Sequence, residues 1–187
     1  MAEELIEVLD ENGISTGKAV SRKTVHEKGL WHRAVVVAIL NDNKEILMQQ
    51  RSLEKDKYPG RWDLSVAGHI PASEDAISTA IREMNEEINY ALSEEISVRD
   101  FRFLTSFRNQ LKTSENIIEN QFYDFLVLNR NIAIDDLTMQ TSEVSNLEYV
   151  SVPKLLKMKQ DNLLHPRTEW VDVLVKYMRR YSIDGRI

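Results

Sequence analysis

Residues 82–87 read Arg82-Glu83-Met84-Asn85-Glu86-Glu87, and on a helix of 3.6 residues per turn Glu83, Glu86 and Glu87 leave from one side. Three carboxylates this close repel one another by amounts comparable to ordinary helix-pair energies, so the helix gains nothing from the cluster without a counter-charge. A hard divalent cation supplies one, and an all-oxygen set of this kind suits magnesium or manganese. The plain alternative is a solvated acidic face, the commoner fate of a Glu-rich helix.

The elements that must position this cluster follow from hydrophobic spacing. Between Glu74 and Ile88, the apolar residues Ile77, Ala80, Ile81, Met84 and Ile88 recur at three and four residues, which predicts a helix with Ser73 as its N-cap. Ahead of it, Trp62–Val66 alternates apolar with polar residues as a half-buried strand does, and Gly68 closes that strand. Ala34–Leu40 and Glu45–Arg51 read as two strands joined by the polar turn Asn41–Lys44, and Asn12-Gly13 predicts an N-terminal hairpin within Leu5–Val20. Phe101–Arg108 and Glu119–Leu128 read as strands, and the polar segment between them is expected as a loop over a binding site. A last strand is expected at Leu147–Val150, a helix from Pro153 through Met158, and a C-terminal helix over Trp170–Tyr181. The order predicts an α+β fold, a mixed sheet flanked by helices.

At 187 residues the chain is expected to form one domain, 1–187, with residues 1–30 as an N-terminal hairpin extension and 161–187 holding the C-terminal helix. Hydrophobic residues at 42% and charged residues at 29% fit a soluble globular protein. A formal charge of -6 argues against nucleic acid as a partner, because such binding draws on a basic surface. The complete lack of cysteine removes disulfides, thiolate metal sites and cysteine nucleophiles. The start, Met1 to Glu7, is acidic and no apolar run reaches the ~18 residues of a membrane span, so a cytoplasmic protein without a membrane partner is expected, as monomer or homodimer.

The spacing extends beyond the helix. Gly68, five residues, Glu74, seven residues, then Arg82-Glu83-Met84-Asn85-Glu86-Glu87-Ile88-Asn89-Tyr90 resembles the Nudix box. Asn89 stands where the box has a glycine, and Asn tolerates the left-handed conformation better than most residues; Tyr90 replaces an aliphatic residue. The resemblance implies a Nudix fold, an α/β/α sandwich with a loop-helix-loop over 68–90, and a pyrophosphohydrolase acting on a small-molecule diphosphate. Glu83, Glu86 and Glu87, with the carbonyl of Gly68, would hold divalent cations bridging that diphosphate, Arg82 would orient the glutamates, and Glu74 would brace them. The cations would neutralise phosphoryl oxygens and acidify the attacking water.

Outside the box, His26–Ala34, Gln50-Arg51-Ser52 with Lys55, Tyr58–Asp63 and Val66–His69 resemble the branch that contains isopentenyl diphosphate isomerase, over roughly residues 5–160. In that isomerase a catalytic cysteine precedes the Gly-His pair and a glutamate lies two residues beyond a metal-binding glutamate. Here those positions are Ala67 and Gln121, so the resemblance implies a hydrolase rather than an isomerase. It also implies that Arg51 and Lys55, with Lys57, grip the diphosphate. His26, His32 and His69, with Glu119, fall near a separate metal site of the isomerase; whether they bind metal or serve as structural groups stays open. Arg108, Gln110 and Tyr123 are expected to shape the rest of the pocket.

Overall fold

The computed structural model describes residues 4–89, 96–112 and 118–184. The Asn12-Gly13 turn closes the expected hairpin of β1 (Leu5–Leu9) and β2 (Ser15–Ser21), and Gly13 takes φ 82° there. A short helix α1 (Arg22–Lys28) follows, which the spacing of apolar residues does not announce; Ser21 caps it and Gly29 ends it in the left-handed conformation.

Next come β3 (His32–Leu40) and β4 (Ile46–Arg51), then β5 (Trp62–Asp63) and β6 (Val66–His69). The single strand expected over 62–66 is therefore two short strands with different partners, and Gly68 lies inside the second rather than closing the first. After α2 (Ala76–Ile88) come β7 (Phe101–Lys112), β8 (Ile118–Asn129), β9 (Val144–Val150), α3 (Val152–Gln160) and α4 (Glu169–Asp184). The N-cap of α2 is Asp75, not Ser73: its carboxylate accepts from the backbone N–H groups of Ile77 and Ser78. Of the expected loop between β7 and β8, residues 109–112 and 118 are strand, paired out to Lys112 and Ile118; residues 113–117 and, of the box, Tyr90 lie outside the described residues.

Strands β5-β4-β3-β8-β7 run side by side, with β6 added on β3 and β9 on β4; β3 and β8 are parallel and the other pairs antiparallel. Alternation along β3 sends Val35, Val37 and Ile39 to one face, where α2 covers them with Ala80, Met84 and Ile88. Ala34, Val36 and Ala38 face the other way, against Trp170, Val171 and Leu174 of α4 and Leu155 of α3. Both faces being covered explains why β3 reads as a continuous apolar run.

Strands β3 and β4 pair only at Ile39 and Leu40, and then diverge, β3 taking β6 and β4 taking β5. Ser65 fills the apex of this fork: its hydroxyl accepts from the N–H of Ile39 and donates to the carbonyl of Leu47. The open end of the fork lets groups from both faces of the sheet reach one cavity.

Candidate active site

That cavity has a volume of about 730 Å³ and is lined by Gly68, Arg82, Glu83, Glu86 and Glu87 from the α2 side and by His69, Gln121, Tyr123, His165 and Arg167 from the α4 side. The two groups are built differently.

On the α2 side, β6 runs so close to the helix that a Cβ on Gly68 would lie 2.1 Å from the Glu83 carboxylate. Only glycine leaves that space, so residue 68 carries the close approach of strand to helix. Glu87 is buried and accepts a hydrogen bond of 3.0 Å from Gln49 of β4. Its backbone carbonyl is held by the N–H of Gln140, and the helix ends at Asn89 in the expected left-handed conformation, φ 40°. Glu86 is half-exposed. One guanidinium nitrogen of Arg82 lies 3.0 Å from both a Glu83 oxygen and a Glu86 oxygen, while its Nε contacts Glu74, which also accepts from Thr79.

Burial, with Glu86 close by, pushes the Glu83 carboxyl up to about 6; burial, with Glu83 close by, pushes Glu87 up to about 8. Arg82 already bridges two of the carboxylates with a positive charge, and the remaining donors are oxygens on a half-open, undercompensated face. Such a donor set fits a hard divalent cation.

Three of the expected basic residues line the same cavity, each held by an internal partner. Arg51 donates through Nε and Nη2 to the Lys57 carbonyl at 3.2 and 3.1 Å; Lys55 pairs with Glu143 and Lys57 with Glu119. Of the residues expected to shape the pocket, Tyr123 does. Arg108 instead lies 4.2 Å over the Trp31 ring, and Gln110 donates to Asn120; neither lines the cavity.

The α4 side collects residues from distant segments. His26, His32 and His69 come together, with one ligand nitrogen of each within 4.8 Å of the others. His32 gives its Nδ1 proton to the Leu30 carbonyl, which leaves Nε2 as an acceptor. Gln121 meets it there: its amide nitrogen is 3.0 Å from His32 Nε2 and 3.2 Å from His69 Nε2, and its oxygen accepts from the Tyr123 hydroxyl. The amide thus satisfies two of the three rings, and Glu119 is turned to Lys57 with His26 at 3.7 Å. His26 Nδ1 is left buried without a hydrogen-bond partner, and the three ring nitrogens lie close enough to share one ion. Burial keeps His32 neutral, its pKa brought down to about 4.

Sequence reasoning missed Gln49, Asp63, His165 and Arg167. The stretch 161–168, expected as part of a C-terminal helical segment, is a connection that ends only where α4 begins at Glu169. It is stitched to β5 by backbone bonds from Trp62 N–H to Leu163 O and from His165 N–H to Trp62 O. Stitching brings Arg167, 6% exposed, onto Asp63, 2% exposed, at 2.5 Å, with its guanidinium 4.4 Å over the Tyr123 ring. Burial would raise the Asp63 carboxyl, but Arg167 and His165 beside it hold it low. The His165-Pro166-Arg167 triplet between two amphipathic helices was the one trace of this in the sequence.

Fold and donor set define an enzyme whose helical carboxylates face a basic loop across a polar cavity. A family model for the NUDIX domain matches residues 30–171. The chain is 37% identical over 153 residues to Nudix hydrolase 3 of Arabidopsis thaliana, covering 80% of this chain and 19% of that protein, so it spans about a fifth of the length of this relative. It is 30% identical over 194 residues to the isopentenyl-diphosphate delta-isomerase of Gibberella zeae, covering 95% of this chain and 75% of that one. A crystal structure of a Deinococcus radiodurans protein superposes with a TM-score of 0.68 at 16% identity, over 92% of this chain and 98% of that chain, and shares its fold. The chain belongs to the Nudix family of hydrolases.

Proposed function

We propose that this chain, as one domain over residues 1–187, hydrolyses the diphosphate linkage of a nucleoside diphosphate derivative or similar small diphosphate, with magnesium or manganese held by Glu83, Glu86, Glu87 and the carbonyl of Gly68. The observation that carries the reading is the meeting of these helical carboxylates with Arg51, Lys55 and Lys57 in one cavity. A dianionic group spanning the two needs positive charge on both sides, and the loop supplies it on one side only.

When bound, a divalent cation polarises the phosphoryl oxygens and acidifies the attacking water. Arg82 holds Glu83 and Glu86 in place, and Glu74 braces Arg82 from behind. Lys55 exchanges its Glu143 partner for a phosphate oxygen, and Arg51, anchored on the Lys57 carbonyl, presents its remaining donors to the same group. Glu87, out of reach of Arg82 and held by Gln49, is the carboxylate best placed to take the proton from water.

The isomerase relative favours a second reading, proton transfer on carbon. Two residues weigh against it: Ala67 has no exchangeable proton, and the Gln121 amide is committed to His32, His69 and Tyr123. One screen separates the readings. Purified protein with magnesium is incubated with nucleoside di- and triphosphates, sugar nucleotides and isoprenoid diphosphates, and products are followed by phosphorus NMR. The expected result is anhydride cleavage of at least one compound and no interconversion of isopentenyl and dimethylallyl diphosphate. Isomerisation above a no-enzyme control without any hydrolysis would overturn the proposal.

A further inference from the structure

The cavity continues past the carboxylates into a chamber on the α4 side of the sheet whose walls the diphosphate chemistry does not use. Tyr58, Asp63, Tyr123, His165 and Arg167 bound it, and the aliphatic side chains lining the whole cavity, among the described residues, are those of Ala34 and Ala67. Arg167 is more than nine-tenths buried, yet its Nε has no hydrogen-bond partner. His165 accepts from the N–H of Arg167 at Nδ1, which puts the ring proton on Nε2 as a second donor. Tyr58 sits edge-on to His165, ring centroids 4.7 Å apart, at φ 52°, a left-handed conformation that a tyrosine adopts only at a cost of order 1 kcal/mol. The strain, the orphaned donor and the near-absence of aliphatic surface fall in one place.

We propose that this chamber receives the organic group attached to the diphosphate, and that this group is a hydroxyl-rich one, a sugar, rather than a hydrocarbon. The inference rests on the reading of the site as a diphosphate hydrolase and adds to it the class of substrate. Hydroxyl and ring oxygens accept from Arg167 Nε and His165, and the flat Tyr58 ring gives a sugar an apolar face, whereas the Tyr123 ring is already stacked by Arg167 and Phe107. An isoprenoid chain in the same place desolvates the Asp63–Arg167 pair and His165 and returns no hydrogen bond. A site built to hydrogen-bond its ligand rejects an analogue that lacks the partner by far more than an apolar pocket rejects an added hydroxyl.

The test measures binding apart from turnover. Wild-type protein is titrated calorimetrically, in calcium so that turnover is slow, with UDP-glucose, ADP-ribose, isopentenyl diphosphate and geranyl diphosphate, while phosphate-bond cleavage in magnesium is assayed separately. At least one sugar diphosphate is expected to bind about 10²-fold more tightly than either isoprenoid. The preference should shrink tenfold or more in Tyr58→Ala and in the double variant Asp63→Asn/Arg167→Gln, which avoids leaving a buried charge unpaired. Equal or tighter isoprenoid binding by the wild type overturns the proposal, whether or not the double variant folds. So does an unchanged preference in Tyr58→Ala. Selective sugar binding without cleavage of any compound would leave the chamber's role standing and sink the hydrolase reading instead.

Discussion

On one side of the sheet α2 supplies Arg82, Glu83, Glu86 and Glu87 from two turns of a single helix; on the other, His32, His69, Gln121, Tyr123, His165 and Arg167 come from β3, β6, β8 and the connection ahead of α4. The first constellation has its residues gathered by helical pitch, with Gly68, Gln49 and Glu74 only trimming the side chains. The second exists only once four separate segments have been packed and hydrogen-bonded to one another. A locally built set holds a reaction's charges in fixed relation, whereas an assembled set takes its shape from the rest of the fold and can differ between relatives that share the same helix. In the function proposed above, the α2 set carries the phosphate chemistry and the α4 side the choice of substrate.

The two sides also respond to pH with opposite sign. Glu83 and Glu87 have folded pKa values raised to about 6 and about 8, so the stability they contribute is complete below the unfolded carboxyl value and is lost as pH rises through those values. His32 and His165 are lowered to about 4, so theirs is present above the unfolded histidine value and lost as pH falls toward 4.

The largest effect is expected at Gly68. Gly68→Ala puts a methyl group into the Glu83 carboxylate, and the expected loss in kcat is of order 10²-fold, as for a misplaced catalytic group. Normal turnover in that variant would mean Glu83 is free to move and the close approach is incidental. Next, Ser65→Ala removes the hydroxyl that joins β3 and β4 at the apex of the fork. It leaves a buried N–H and C=O unpaired, for about 1–3 kcal/mol in urea denaturation, and should disturb substrate preference more than the α2 chemistry. A fall in kcat as deep as that of Gly68→Ala would tie the two faces together mechanically.

A smaller effect sharpens the electrostatic contrast. Without added metal, the melting temperature should pass through a maximum near pH 5–7, falling on the alkaline side with the carboxylates and on the acid side with the histidines, by several degrees on each limb. Glu87→Gln should flatten the alkaline limb alone and raise the melting temperature at pH 8. A profile unchanged by that substitution would show that Glu87 does not carry the alkaline limb. At the bottom of the scale, Asp172→Asn, on an exposed pair with Lys159 away from both faces, should leave turnover within about twofold and stability within about 0.5 kcal/mol.

The unequal legibility of the two sides has the same origin. Glu83, Glu86 and Glu87 could be read because spacing along one helix is written directly in the chain, and Asn89 behaved as its tolerance of left-handed backbone implies. The strand positions followed from apolar runs, except at 62–66, where alternation is the same whether residues pair with one neighbour or divide between two, and the order of the strands in the sheet was not legible. Asp63 and Arg167 are 104 residues apart in sequence, and no periodicity links them; only the stitching of 163–165 to Trp62 brings them together. Ser73 lost the helix cap to Asp75 because both are good capping residues two positions apart, and only backbone geometry chooses between them.

Whether the α2 carboxylates hold the cation that activates water against a diphosphate is read by comparing wild type with Glu87→Gln and Glu86→Gln on the best substrate of the screen. Phosphorus NMR rates are taken in magnesium and again in excess chelator. Wild-type turnover should vanish in chelator and return with magnesium or manganese, and the variants should lose roughly 10²–10⁴-fold in rate, the usual scale for a positioned acid-base group. Full activity in chelator, or wild-type turnover in both variants with magnesium bound normally, would contradict that role.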